Sequence, residues 1–249
     1  MEALQGIFRW VHVIAGITWI GLLYFFNFVN SAFAPTMDGD TKKKVIPELM
    51  PRALYWFRWG AAYTWITGVL LILMVFYHGG IVFDDLQSGW NAMALTMVAV
   101  TFLGVFAYDF LANTVLKPTN VAFWGGTVLA TAILFLYQMA GFGFRATAIH
   151  LGALFGTCMA FNVWFRIWPA QQRIITAIKN GEAPNADDAG LAGLRSKHNT
   201  YMSVPLVFFM LNVHMTWLPG GWAGLGAVVL IGWGVTYWLY GKAAEVKGF

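Results

Sequence analysis

The sequence predicts an all-α integral membrane protein: a bundle of seven transmembrane helices with its N-terminus outside and its C-terminus in the cytoplasm. Three observations carry this expectation. Of 249 residues, 59% are hydrophobic and only 10% charged, against roughly 25% charge in a soluble domain. Seven apolar stretches, at about 5–33, 53–77, 91–116, 121–140, 146–168, 199–217 and 222–241, are long enough to cross roughly 30 Å of hydrocarbon. When alternate helix ends are assigned to opposite sides, the 15 lysines and arginines separate almost completely. One side receives Lys42, Lys43, Lys44, Arg52, Arg58, Lys117, Arg166, Arg173, Lys179, Arg195, Lys197, Lys242 and Lys247. The other receives Arg9 and Arg145, so the positive-inside rule makes the first side cytoplasmic.

Taken in order, the spans are divided by sharp polar breaks. APTMDGDTKKKVIPELMP separates the first two, YHGGIVFDDLQSGW the next pair, KPTN the third pair, and GFGFR turns the chain before the fifth. The longest break, 169–197, reads as a cytoplasmic loop. Its first part, AQQRIITAIKN, has the pattern of a short amphipathic helix. The whole of 1–249 is expected to be one polytopic membrane domain. The start, MEALQGIFRW, lacks the basic n-region and small-residue site of a cleaved signal peptide. A lone Cys158 excludes an internal disulfide and any CxxC metal or haem-attachment motif. No P-loop or GxGxxG is present, and the basic balance lies in short loops, so it reports topology rather than nucleic-acid binding.

The first span, HVIAGITWIGLLYFFNFVN, sets the terms for the rest. At 100° per residue His12, Trp19, Leu23 and Asn30 fall within about 20° of one face, with Gly16 beside them. Ionisable side chains inside spans are rare and tend to face the bundle interior. His12, His150 and His214 lie at comparable depth near the outer side, with His78 at the outer lip of the second span. Three imidazoles on three helices suit a b-type haem between two histidines, with a bare copper or other metal site, or purely structural histidines, as the alternatives. Gly16 would let a porphyrin approach the backbone, although helix packing is the commoner use of such a glycine.

The inner half holds a polar layer: Asn27 and Asn30, Arg58, Asp109 and Asn113, Asn162 and Arg166, His198 and Asn199. A carboxylate at Asp109 needs a partner, and Arg58 or Arg166 is expected to supply it. Both arginines follow Trp-Phe, which also suits interfacial anchoring. Read functionally, the layer is a cytoplasmic pocket for a flat hydrogen-bonding molecule, a purine or a quinone headgroup. Arg58, Arg166, Asn27, Asn30, Asn162 and Asn199 would bind it, with His198 and Asp109 as proton-handling groups.

HVIAGITWIGLLYFFNFVN, RALYWFRWGAAYTW and SKHNTYMSVPLVF together resemble the membrane-embedded N-terminal domain of the PuuD-like bacterial urate oxidases, over nearly the whole chain. Similar first helices, with an H…W-x-G pattern, occur in HemJ-type protoporphyrinogen oxidases and copper-resistance membrane proteins. The resemblance implies a multi-pass protein of the bacterial inner membrane that oxidises urate toward 5-hydroxyisourate in purine catabolism. Electrons would pass through haem b to a cytochrome c. Fused members carry an eighth helix and a C-terminal cytochrome c, neither of which follows the seventh span here. A separate cytochrome c or another redox protein at the outer face is therefore the expected partner. The alternative is a non-catalytic haem b electron-transfer subunit of a larger respiratory complex.

Overall fold

Seven long helices run through the computed structural model, which describes residues 1–85, 88–215 and 217–246. They are α1 (Glu2–Thr36), α2 (Gly39–Tyr77), α3 (Ala92–Asn113), α4 (Thr119–Met139), α5 (Phe144–Asn180), α6 (Ala186–Leu211) and α7 (Gly221–Glu245). Among the described residues there is no strand, only an isolated bridge between Phe83 and Phe142. Six of the seven helices are long and apolar enough to cross a membrane. The exception, α6, carries the polar run Arg195–Asn199 on an otherwise apolar helix. Around the girth, apolar side chains such as Ile17, Leu103, Phe106, Val128 and Ile231 stand exposed, as lipid-facing residues do.

The bundle is built around α5. From Ala146 to Ala160 nearly every residue is buried, and the helix packs against α2, α3, α4 and α6. The broadest pairing is α1 on α2. There a Cβ on Gly60 would stand 3.2 Å from the Ala15 carbonyl oxygen, and one on Gly68 3.0 Å from the His12 ring. With Thr64 between them, these residues form a small-residue seam at i, i+4 and i+8, which lets two backbones meet without cavities. Gly16 lies against Thr64 in the same seam. In contrast α3 and α4 touch only sparsely along their length.

The breaks expected between spans are shorter than the sequence suggests. Asp38 caps α2 by accepting from the Thr41 amide at 2.8 Å, and these bonds hold its carboxyl below the usual carboxylate range. The helix then runs through Pro47 and Pro51, both in its protruding basic turns, where water can satisfy the carbonyls that proline frees. Likewise 169–197 is not a loop. The amphipathic stretch continues α5 to Asn180, Gly181 ends it at φ 79°, and α6 begins at Ala186 under an Asn185 cap. Only about five residues separate the two helices. Arg173 and Asp188 clasp them together at 2.5 Å.

Three stretches adopt the wider π form: Phe25–Asn30, Ile72–Tyr77 and Asn162–Ile167. Such bulges often re-aim side chains at functional sites. Here they carry Asn27, Tyr77, Asn162 and Arg166. At the opposite end of the bundle, Asp84 accepts from the Phe144 amide at 2.9 Å and so caps the first turn of α5. Lys247, placed by the charge pattern with the basic end, lies outside the described residues.

Candidate functional site

At the basic end three helices each contribute a polar pair at i, i+4, the spacing that puts both members on one face. They are Asp109 with Asn113 on α3, Asn162 with Arg166 on α5, and Arg195 with Asn199 on α6. Asp109 is gripped from two sides. Arg166 donates Nε to its Oδ1 at 2.9 Å and Nη2 to Oδ2, while Arg195 donates Nη2 to Oδ1 at 2.6 Å. Arg195 also donates to Asn113 Oδ1 at 2.7 Å and to Asn162 Oδ1 at 3.2 Å. Its side chain is fully buried, so this carboxylate is what makes a buried guanidinium tolerable.

The network continues away from the charges. Asn162 donates from Nδ2 to the Tyr108 hydroxyl and to Asn199 Oδ1, both at 2.8 Å, and Asn199 Nδ2 donates to the Met159 carbonyl at 3.0 Å. The Tyr108 hydroxyl stands 3.0 Å from His198 Nδ1. Because Tyr108 already accepts from Asn162, its own proton is assigned to His198 Nδ1. That places the imidazole proton on Nε2. Nε2 has almost no accessible surface and makes no hydrogen bond, and the Leu116 carbonyl is the backbone acceptor beside the ring.

His198 lines a partly open cavity of about 320 Å³ between α3, α4, α5, α6 and α7. Its walls are almost wholly apolar, and small residues at Gly104, Ala107, Ala122 and Gly126 leave the space. Lys117 and Lys197 stand at its basic end. Trp233, whose indole N–H also lacks a partner, packs on Gly126 in the far wall.

Arg58 belongs to a separate grouping. Its guanidinium lies 3.5 Å from the ring centre of Trp168 and 5.4 Å from that of Trp164, and Trp164 Nε1 donates to the Arg58 carbonyl at 3.2 Å. Of the two partners expected for Asp109, Arg166 is the one that pairs. Arg58 has no carboxylate partner among the described residues. Asn27 ties α1 to α6 and α7, donating to Ser196 Oγ and accepting from the Tyr240 hydroxyl, each at 2.8 Å. Asn30 makes no side-chain hydrogen bond among the described residues.

The histidines expected at the outer side are placed individually. His12 faces α2, with Nδ1 3.1 Å from Thr67 Oγ1 and its ring against Gly68. His150 is fully buried in an aromatic box of Phe76, Tyr77, Tyr137 and Phe142. Its Nδ1 donates to the Ala146 carbonyl at 2.7 Å, and Nε2 accepts from the Tyr77 hydroxyl at 3.0 Å. Their anchors, Thr67 and Tyr77, are ten residues apart on α2, roughly 15 Å of helix rise. His78 and His214 are exposed at helix ends. Among the described residues no group of three or more His, Cys, Asp or Glu side chains could hold a metal ion. A bis-histidine haem b does not fit His150 as it stands, because iron would have to displace either Tyr77 or the Ala146 carbonyl. Gly16, meanwhile, is taken up by the α1–α2 seam.

Arg195 and Tyr108 are the site residues the sequence did not disclose. An earlier start for α6, signalled by Asn185 followed by Asp187 and Asp188, would have put Arg195 on the Asn199 face. Residues 39–247 match the family described as urate oxidase N-terminal. No curated protein matches the chain, and no solved structure does.

Proposed function

The chain belongs to the urate oxidase N-terminal family, and from that premise we propose that it is a membrane-bound oxidoreductase. It takes urate toward 5-hydroxyisourate at its basic, cytoplasmic end and hands the electrons to a redox partner, a cytochrome c or another carrier. The observation that carries the proposal is the coincidence of family and site. Arg58, Asp109, Asn162, Arg166, Arg195, His198 and Asn199 all fall within the matched residues. Two arginines are spent on Asp109, whereas Arg58 uses only Nε, on the Leu54 carbonyl, and keeps its Nη donors for a purine anion, with Trp164 and Trp168 beside it offering faces for stacking. Asp109 in this reading holds the frame, and His198, which lines the separate cavity, handles protons on the acceptor side.

The test is urate turnover by the purified full chain with ferricyanide as acceptor. Consumption of urate that falls at least tenfold in Arg58→Ala supports the proposal. Well-folded protein that leaves urate unchanged sinks it.

A further inference from the structure

We propose that the cavity beside His198 is a binding site for a quinone, drawn from the bilayer, and that this quinone is the electron acceptor. The acceptor role rests on the urate reading above; the binding site does not.

Four features of the cavity converge on that class of molecule. First, its lining suits a lipid-soluble ligand and not a purine, since a purine carries hydrogen-bonding groups around its whole edge and would leave them unpaired on these walls. Second, the lining includes His198, whose ring N–H makes no hydrogen bond in this structure. An N–H left unsatisfied in apolar surroundings is costly, and a single carbonyl oxygen on the ligand repays it. A lipid acyl chain has no acceptor to offer; a quinone ring has two, on opposite edges. The Trp233 N–H is a second unpartnered donor in the same lining. Third, the shape is elongated. The lining runs from Leu111 to Val100 on α3 and from Thr119 to Ile133 on α4, roughly 16 and 21 Å of rise. That accommodates a ring beside His198 with the first part of an isoprenoid tail toward the middle of the bundle. Fourth, α3 and α4 touch only sparsely, which leaves a lateral way in from lipid.

His198 is held for this task from behind. Tyr108 fixes its tautomer, and Asn162 fixes Tyr108, so the donor presented to the cavity is set by a network anchored on Asp109 and Arg195. The redox balance closes without a further reactant. Urate takes up water at C5, forming one C–O bond and releasing two electrons and two protons; the quinone takes both, each carbonyl oxygen becoming a hydroxyl.

The experiment measures binding of decylubiquinone to the full chain in lipid nanodiscs, with no urate present. The wild type should bind saturably. His198→Phe, which keeps an aromatic ring but removes the N–H, should weaken binding at least tenfold. Ala107→Phe, which fills the cavity from α3 without touching the network, should do the same. His198→Gln, whose amide can restore a donor, should stay within about threefold of wild type, and this guards against reading a misfolded variant as a lost site. Equal binding by wild type, His198→Phe and Ala107→Phe overturns the proposal, as does release of co-purified phospholipid from Ala107→Phe with no saturable quinone binding in the wild type. Urate-dependent quinol formation is measured separately. Saturable quinone binding without it removes the urate reading and leaves the quinone site standing.

Discussion

The molecule treats two histidines at opposite ends of its core differently, one fully buried and one half-buried. His150 sits among four aromatic rings with both nitrogens spent, one donating to a backbone carbonyl and one accepting from Tyr77. His198 has one nitrogen held by Tyr108 and the other facing an apolar space with no partner. A buried polar atom that is satisfied strengthens the fold it belongs to, whereas one left unsatisfied weakens it and needs some other reason to be there. By that measure the aromatic box is part of the frame, and the cavity is where the frame is prepared for something else. The sequence leads us to expect the outer histidines as cofactor ligands; the structure adds that both ring nitrogens of His150 are already hydrogen-bonded.

The comparison can be broken or sharpened at several points. The largest effect is expected at the network that supports His198. Asp109→Asn leaves two guanidiniums, one of them fully buried, without their carboxylate, and should cost about 3–5 kcal/mol in reversible unfolding in detergent. A cost below 1 kcal/mol would mean the network does not hold the site. At the other end, His150→Phe strands the Tyr77 hydroxyl, while the Ala146 carbonyl keeps its helical bond. It should cost about 1–3 kcal/mol for the one buried group left unmade. Tyr77→Phe, which removes only the bond to His150, should cost about 1 kcal/mol.

The same variant carries a spectroscopic arm. A dithionite-reduced minus oxidised spectrum of wild type with a sharp b-type α-band that vanishes in His150→Phe but survives in Tyr77→Phe would make His150 a haem ligand and undo the contrast. The smallest effects separate the two asparagines of α1. Asn27→Ala removes bonds to α6 and α7 and should cost about 1–2 kcal/mol, while Asn30→Ala should stay within about 0.5 kcal/mol. Both are read as shifts in the same unfolding curve.

Much of the frame was legible in the sequence, for reasons that are local. Seven helices followed from apolar length, and the Asp109–Arg166 pair followed from the cost of an isolated carboxylate in a span. The helix boundaries were not legible where polarity and proline imitate a loop. Pro47, Pro51 and most of the 169–197 stretch lie in helices that continue through polar sequence, where neither hydropathy nor proline marks an end. That error hid Arg195, because an α6 starting at 199 leaves it in a loop. The state of His198 was out of reach altogether. Whether an imidazole is satisfied depends on Tyr108, ninety positions away, and no spacing rule connects the two. The outer histidines show the converse: similar depth on three helices was read as convergence, and depth says nothing about which way a ring turns.

The thin contact between α3 and α4 has a consequence for how affinity is measured. If ligand enters between these helices, it never competes with water at the protein surface, and the quantity that sets occupancy is its mole fraction in the lipid. Adding empty lipid at constant protein and constant total ligand should then lower occupancy in proportion to the dilution. Changing the aqueous volume should do almost nothing.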